Sequence, residues 1–275
     1  MFAASFEYHR PKTVAEAVKL LRDVKGARVL AGGHSLIPAM KLRLASPAAL
    51  VDISRIPELS GIKSTNEGLE IGALTTHAAI ATSQVVRKLC PVLADTAAQI
   101  GDQQVRNRGT IGGSVAHADP GADYPTLMLL LGAKFTAADG KPRQIAAEDF
   151  FVDLFTTALK PGELLTSISV PSTDGAKAVY LKHRHPASSF AVVGVAALVD
   201  KKFSSVRISI GGVTPNPVRA KAAEKALKGP GDIDAAAEAV AEALPNPLSD
   251  SYASGEYRVH LATVMTKRAL MQVTR

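Results

Sequence analysis

Two short segments hold the residues best suited to chemistry. Residues 31–35 read Ala-Gly-Gly-His-Ser, and residues 110–114 read Thr-Ile-Gly-Gly-Ser. Glycine leaves room for a ligand to reach the backbone, and successive N–H groups can converge on one anion. Beside a helix N-terminus, unpaired N–H groups and the peptide dipole raise the positive potential further. Gly32, Gly33, Gly112 and Gly113 would bring backbone donors, and Ser35, Thr110 and Ser114 hydroxyl donors. Two such segments facing each other would suit a pyrophosphate. The plainer reading is that each Gly-Gly pair makes a tight turn and nothing more. Neither segment is a P-loop or a dinucleotide fingerprint, since GxxxxGK[ST] and GxGxxG are both absent.

Asp119 and Asp123 follow the second segment in "HADPGADYP". A carboxylate displaced from bound phosphate could accept hydrogen bonds from ligand hydroxyls. Equally, Asp119 stands just before Pro120, a good arrangement for a helix N-cap. His34 and His117 each flank a glycine segment, and His183 and His185 form a second pair, but none has further ligands at metal-binding spacing. No metal site is expected. Ser35 in "GHSLIP" lacks the second glycine of G-x-S-x-G, and no Ser-His-Asp arrangement is readable. No nucleophilic constellation is read from these residues.

The elements that must position these residues follow from periodicity. "KTVAEAVKLLRDV" (12–24) has helical spacing, with Thr13 and Glu16 as a capping box. "ARVLAGG" (27–33) is a short strand ending at glycine, "LIPAMKLRL" a helix with Pro38 in its first turn, and "AALVDIS" (48–54) another strand. Residues 56–80 hold two strands around Asn66-Glu67-Gly68 and then a helix capped at Thr75 or Thr76. Helices are expected at 92–101, stopped by Gly101, and near 123–131. Strands are expected near 133–138 and 163–171. Ahead of the helix near 123–131, the stretch beginning "TIGGSVAHADPG" contains a glycine-rich loop. After "STDGA" (172–176) come three strands, helical stretches at 219–228 and 232–244, and a last helix at 255–272. A domain boundary is placed near 175.

Composition excludes several classes. Cys90 is the only cysteine, so the chain can form no internal disulfide, Cys-ligated zinc site or iron–sulfur cluster of its own. It sits in "VVRKLCPVL", on the apolar side of a helix, and reads as a buried, inert thiol. No apolar run is long enough to span a bilayer, and "MFAASFEYHRPKT" has no secretory apolar core, so a cytoplasmic protein is expected. The net charge of +7 is uneven: residues 1–176 carry +1 and residues 177–275 carry +6. The basic residues are scattered without aromatic interleaving, so nucleic acid is not the expected partner. The basic last third would either face a partner subunit or be ordinary solvated surface.

Taken together, "LAGGHSLIPAMKLRL", "VDISRIPELSGI" and "NRGTIGGSVAHADPGADYP" resemble the FAD-binding medium subunit of the molybdenum hydroxylases, the group of carbon monoxide and xanthine dehydrogenases. The resemblance continues through "PGELLTSISVP", "YLKHRHPASSFAVVGVAA", "IGGVTPNPVRA" and "SGEYRVHLATVMTKRAL", nearly the whole chain in order. It implies an α+β fold. Residues 1–175 would be an FAD-binding domain of the vanillyl-alcohol-oxidase/MurB (PCMH) type, with subdomains at about 1–56 and 57–175. Residues 176–275 would be a small C-terminal domain with a three-stranded antiparallel sheet and a helical bundle. Ala31 to Ser35 would wrap the FAD pyrophosphate, with Thr110 to Ser114 as the opposing loop. Asp119 would bond the ribityl or pyrophosphate region, and Leu164 and Leu165 would pack near the adenine. Lys182 would approach the flavin, with Phe190 against it. Leu30, Leu36, Ile100 and His117 complete the implied cofactor-binding set.

Relatives carrying Asp and Tyr after that lysine are matched here by Ser188-Ser189 and Phe190, a ring that can stack but cannot hydrogen-bond. The resemblance further implies a large molybdopterin subunit and a small subunit with two [2Fe–2S] clusters, assembled as a dimer of heterotrimers. FAD would pass electrons to an external acceptor. A free-standing flavin oxidoreductase is the alternative, and a nucleotide-binding protein that has lost its flavin is a third.

Overall fold

The computed structural model describes residues 2–275. The chain begins with β1 (Glu7–His9), α1 (Val14–Asp23), β2 (Ala27–Leu30), α2 (Leu36–Lys41) and β3 (Ala49–Asp52). These three strands are parallel in the order β1-β3-β2. β3 is buried along its length between its neighbours. Thr13 caps α1 by accepting the Glu16 N–H, but the Glu16 carboxylate reaches back to the Lys12 N–H rather than to that of Thr13, so the capping box is displaced by one residue. Ala17 and Val18 pack on Val51, Ile53 and Ile56 in a small core of their own.

The hairpin β4 (Ile62–Thr65) and β5 (Gly68–Gly72) comes next. Six helices follow: α3 (His77–Thr82), α4 (Gln84–Leu89), α5 (Pro91–Ala98), α6 (Gln103–Arg108), α7 (Ile111–His117) and α8 (Asp123–Leu131). Next come β6 (Lys134–Ala138), β7 (Pro142–Ala146), the single turn α9 (Ala147–Phe150), the short hairpin β8 (Phe151–Asp153) and β9 (Thr156–Thr157), and β10 (Leu164–Pro171). The five-stranded sheet has the order β4-β5-β10-β6-β7 and is antiparallel throughout. α8 is buried at all nine positions, because helices and sheets surround it. α5 ends at Ala98, earlier than its expected stop, and Gly101 (φ +49°) turns the chain beyond it. Cys90 lies at the junction of α4 and α5, wholly buried, and burial pushes its thiol up to about 11. At that value it is protonated and unreactive at neutral pH.

The remaining chain forms β11 (Ala176–Arg184), β12 (Ala191–Asp200), β13 (Val206–Gly211) and β14 (Val218–Arg219), followed by α10 (Lys221–Ala226), α11 (Ile233–Glu238) and α12 (Gly255–Val273). The sheet is antiparallel in the order β11-β12-β13-β14, so the two-residue β14 extends the three strands expected there. Nine of the ten residues of β12 are buried. The alternation explains why that strand reads as an unbroken apolar run. Ala196 and Leu198 face the core shared with α5 and α8, while Val193, Val195, Ala197 and Val199 face α12. No helix among the described residues is long and apolar enough to cross a membrane.

Candidate functional site

The first glycine segment leaves the carboxyl end of β2, at the edge where parallel sheets place their ligands. Gly33 sits at φ +77°, a conformation that side chains disfavour. This turns the chain so that Gly33 O accepts the Ile37 N–H at 3.1 Å and opens α2. His34 folds back, with Nδ1 2.9 Å from Gly32 O. No acceptor among the described residues takes the N–H groups of Gly32, Gly33, His34, Ser35 or Leu36. Five successive amides are thus free in one turn. Unpaired N–H groups ahead of a helix N-terminus can meet an acceptor from outside the chain.

The second segment differs from the loop expected there. Thr110 is the N-cap of α7, its Oγ1 accepting the Gly113 N–H at 3.1 Å, and the Gly-Gly pair lies inside the helix. The other amides are also engaged: Ile111 N–H with Thr75 O, Gly112 N–H with Ala73 O and Ser114 N–H with Thr110 O. These N–H groups cannot form an anion nest. Gly112 is there for packing, since a Cβ on it would lie 2.5 Å from the Ala73 Cβ. Gly113 instead faces outward, where a Cβ would come within 3.8 Å of the Ala31 Cβ.

The two segments do face each other. A Cβ on Gly32 would fall 2.1 Å from Arg108 O, so backbone rests on backbone there. Behind Thr110, a β-bridge to Thr76 and the bond from His77 N–H to Gly109 O (3.0 Å) fix the segment. His77 itself was legible only as part of a helix start. Its ring is buried under Gly109, 5.3 Å from the Tyr124 ring, with no partner for Nδ1. Burial, with repulsion from His34 and Arg106, pushes its pKa down to about 4. The folded value lies below the unfolded 6.5, so unfolding takes up a proton on acidification. Stability is fully present above pH 6.5 and is lost as pH falls toward 4, by about 3 kcal/mol for this group. Urea unfolding at pH 7 and pH 4 should show that loss in the parent chain and its absence in His77→Gln. An equal pH slope in both would refute the buried-neutral assignment.

Asp119 does not cap a helix. Its Oδ1 accepts the Gly121 N–H at 2.9 Å in a turn, and α8 begins at Asp123 with no side-chain cap. The Phe190 ring lies over this turn, 45% exposed, with Cδ1 3.3 Å from where a Gly121 Cβ would stand. His117 stacks on Phe155 at 5.0 Å, and burial lowers its pKa against the pull of Asp119. Asp123 is enclosed rather than offered to a ligand: its carboxylate accepts from Tyr180 OH at 2.8 Å and from Lys182 Nζ at 3.0 Å. Lys182 Nζ also donates to Ser189 O at 2.9 Å, and its side chain is 2% exposed. Burial raises the Asp123 pKa and lowers that of Lys182, each opposed by the other's charge. Lys182 thus clamps the turn that presents Phe190.

The other expected residues are dispersed. Leu30 and Leu36 flank the first turn, both half-buried. Ile100 is half-buried near α6, its carbonyl accepting from Arg106. Ile111 is fully buried. Leu164 and Leu165 belong to two different cores. No metal-binding cluster of His, Cys, Asp or Glu occurs among the described residues.

Comparison with known proteins shows the family. Residues 4–173 match the family profile described as the FAD binding domain in molybdopterin dehydrogenase. Residues 178–273 match the CO dehydrogenase flavoprotein C-terminal domain. The chain is 40% identical to the carbon monoxide dehydrogenase medium chain of Afipia carboxidovorans, over 98% of this chain and 97% of that one. It is 38% identical to the glyceraldehyde dehydrogenase medium chain of Sulfolobus acidocaldarius, over 99% and 100%. Among solved structures it resembles carbon monoxide dehydrogenase from Hydrogenophaga pseudoflava, in a form lacking the Mo-pyranopterin moiety of its cofactor. That match has a TM-score of 0.93 at 40% identity and covers 100% of this chain and 98% of that one. The chain belongs to the family of FAD-binding medium subunits of the molybdenum hydroxylases, whose members are oxidoreductases.

Proposed function

We propose that this chain is the electron-transfer subunit of a heteromeric molybdenum hydroxylase. It stands between [2Fe–2S] clusters on a small partner subunit and an external acceptor, with substrate oxidised at a molybdopterin centre on a large subunit. The carrying observation is the turn of five unengaged amides at residues 32–36, facing a second segment across a backbone contact. Names of relatives as medium chains of dehydrogenases support the heteromeric part. The residues fit the cofactor. Gly32 to Ser35 would hold the pyrophosphate by their N–H groups. Thr110 to Ser114 would form the opposing wall through the bare Cα of Gly113 and the Ser114 hydroxyl. Asp119 would accept from the ribityl chain, and Phe190 would cover the ring system. Leu164 and Leu165 would underlie the adenine from within the cores. When bound, FAD supplies the exchange of electrons between the clusters and the acceptor. The chain's part is to bind, orient and shield. The reading includes a division of the chain near residue 175, a dimer of heterotrimers and a cytoplasmic location.

The test is purification of the native assembly, with absorbance spectra and mass spectrometry of its components. Flavin and iron–sulfur bands with a large molybdopterin subunit support the reading. A lone flavoprotein that turns over substrate replaces it with a free-standing oxidoreductase. For Phe190 the expected result of Phe190→Ala is FAD binding up to about tenfold weaker, matching the 0.5–1.5 kcal/mol of an aromatic pair. Unchanged affinity and an unchanged flavin spectrum would remove Phe190 from the site.

A further inference from the structure

β11 is the edge strand of the C-terminal sheet, and its outer edge is open beside a cleft of about 790 Å³. The contrast with β12 is sharp, since only Tyr180 of its nine residues is buried. Long exposed edges are normally shortened or covered, because their free N–H and C=O groups recruit other strands. The opposite wall is one face of α12, where Tyr257, His260, Val264, Arg268 and Met271 recur at helical spacing, with Arg275 just beyond the helix end. That face runs for about 21 Å at 1.5 Å per residue, enough to lie beside about six residues of extended chain. Leu181, Leu261 and Val264 form an apolar floor. His183, His260, Arg268 and Arg275 line the cleft, and no Asp or Glu does. Arg268 and Arg275 are exposed and make no ion pair among the described residues.

We infer that this cleft receives an extended, carboxylate-bearing segment of a partner subunit, added as a strand to the edge of β11. Main-chain bonds to β11 would supply the affinity and the register. Alternate side chains would point to the apolar floor and to the two arginines, whose planar forks pair with carboxylates. The basic excess of the last third of the chain, net +6, favours an acidic segment over a neutral one. The inference rests on the heteromeric reading in that the segment belongs to another subunit.

Hydrogen exchange measured on the native assembly and on the lone flavin-loaded chain tests it. The expected result is that outward amides of residues 176–184 exchange about tenfold more slowly in the assembly. R268E/R275E should weaken partner binding at least about tenfold, while R268K/R275K keeps most of it and both retain FAD. An intact assembly with unprotected β11 amides overturns the inference and leaves the heteromeric reading standing. Protection in the lone chain that grows with its concentration overturns it in favour of a second copy. A chain that purifies without partners overturns both.

Discussion

Gly32→Ala is expected to yield a folded protein holding less than about a tenth of the parent's FAD, a loss of at least about 1.4 kcal/mol in binding. The added Cβ would stand 2.1 Å from Arg108 O and 2.9 Å from Gly109 Cα. Both are backbone atoms, so no rotamer change relieves the clash and the two segments must separate. Gly33→Val tests the same site by another route. Its Cβ would clash with just the movable tip of Ile37 and touch Leu30 at an ordinary distance, but φ +77° is strained for a branched residue by about 1–3 kcal/mol. Relief of that strain re-aims the amides of residues 32–36. Both changes lie on a turn outside the three cores, so circular dichroism should be unaltered. Normal FAD content in both variants would defeat the assignment of this turn to the pyrophosphate.

Lys182→Met should destabilise the chain by about 3–5 kcal/mol, as removal of one partner from a buried ion pair does. The two side chains are 2% and 6% exposed, so water cannot replace the lost ammonium around Asp123. The substitution also frees Ser189 O, and with it a turn held at φ +62° on Ser189. Denaturant unfolding measures the first effect, and flavin fluorescence measures the second if Phe190 covers the ring system as proposed. A second substitution, Asp123→Asn, in the same chain should recover part of the stability, because the uncompensated charge is gone. A loss under about 1 kcal/mol in Lys182→Met, or no recovery in the double variant, would mean that the pair is not the clamp described here.

Local pattern carried much of the fold. β2 to β6, β10, α8 and α12 stand close to where periodicity placed them, whereas β1, β7, β8 and β9 were not read. α6 and α7 were not legible. "QQVRNR" has little apolar signal, and Gly112-Gly113 argues against a helix by propensity, yet contact with Ala73 tolerates no larger residue there. The site divided in the same way. The free amides of residues 32–36 follow from local sequence, since the turn is made within six residues. The fate of Asp123 does not, because Lys182 lies 59 positions away and only tertiary pairing joins them. His77 was hidden for a similar reason: its role comes from lying under Gly109, which its own helix does not reveal.

The strand order of the larger sheet bears on how the chain is made. β10 lies at the centre, between β5 and β6, although it ends at Pro171, about a hundred residues after β5. Until it leaves the ribosome, the β4–β5 and β6–β7 hairpins each wait with one edge unfilled. Closing that long loop carries an entropy cost before any pairing repays it. The nascent chain therefore carries the open β4–β5 hairpin through synthesis of the whole helical segment, and the β6–β7 hairpin beside it until β10 follows. Stalling or truncation before residue 171 is where aggregation and chaperone demand should concentrate.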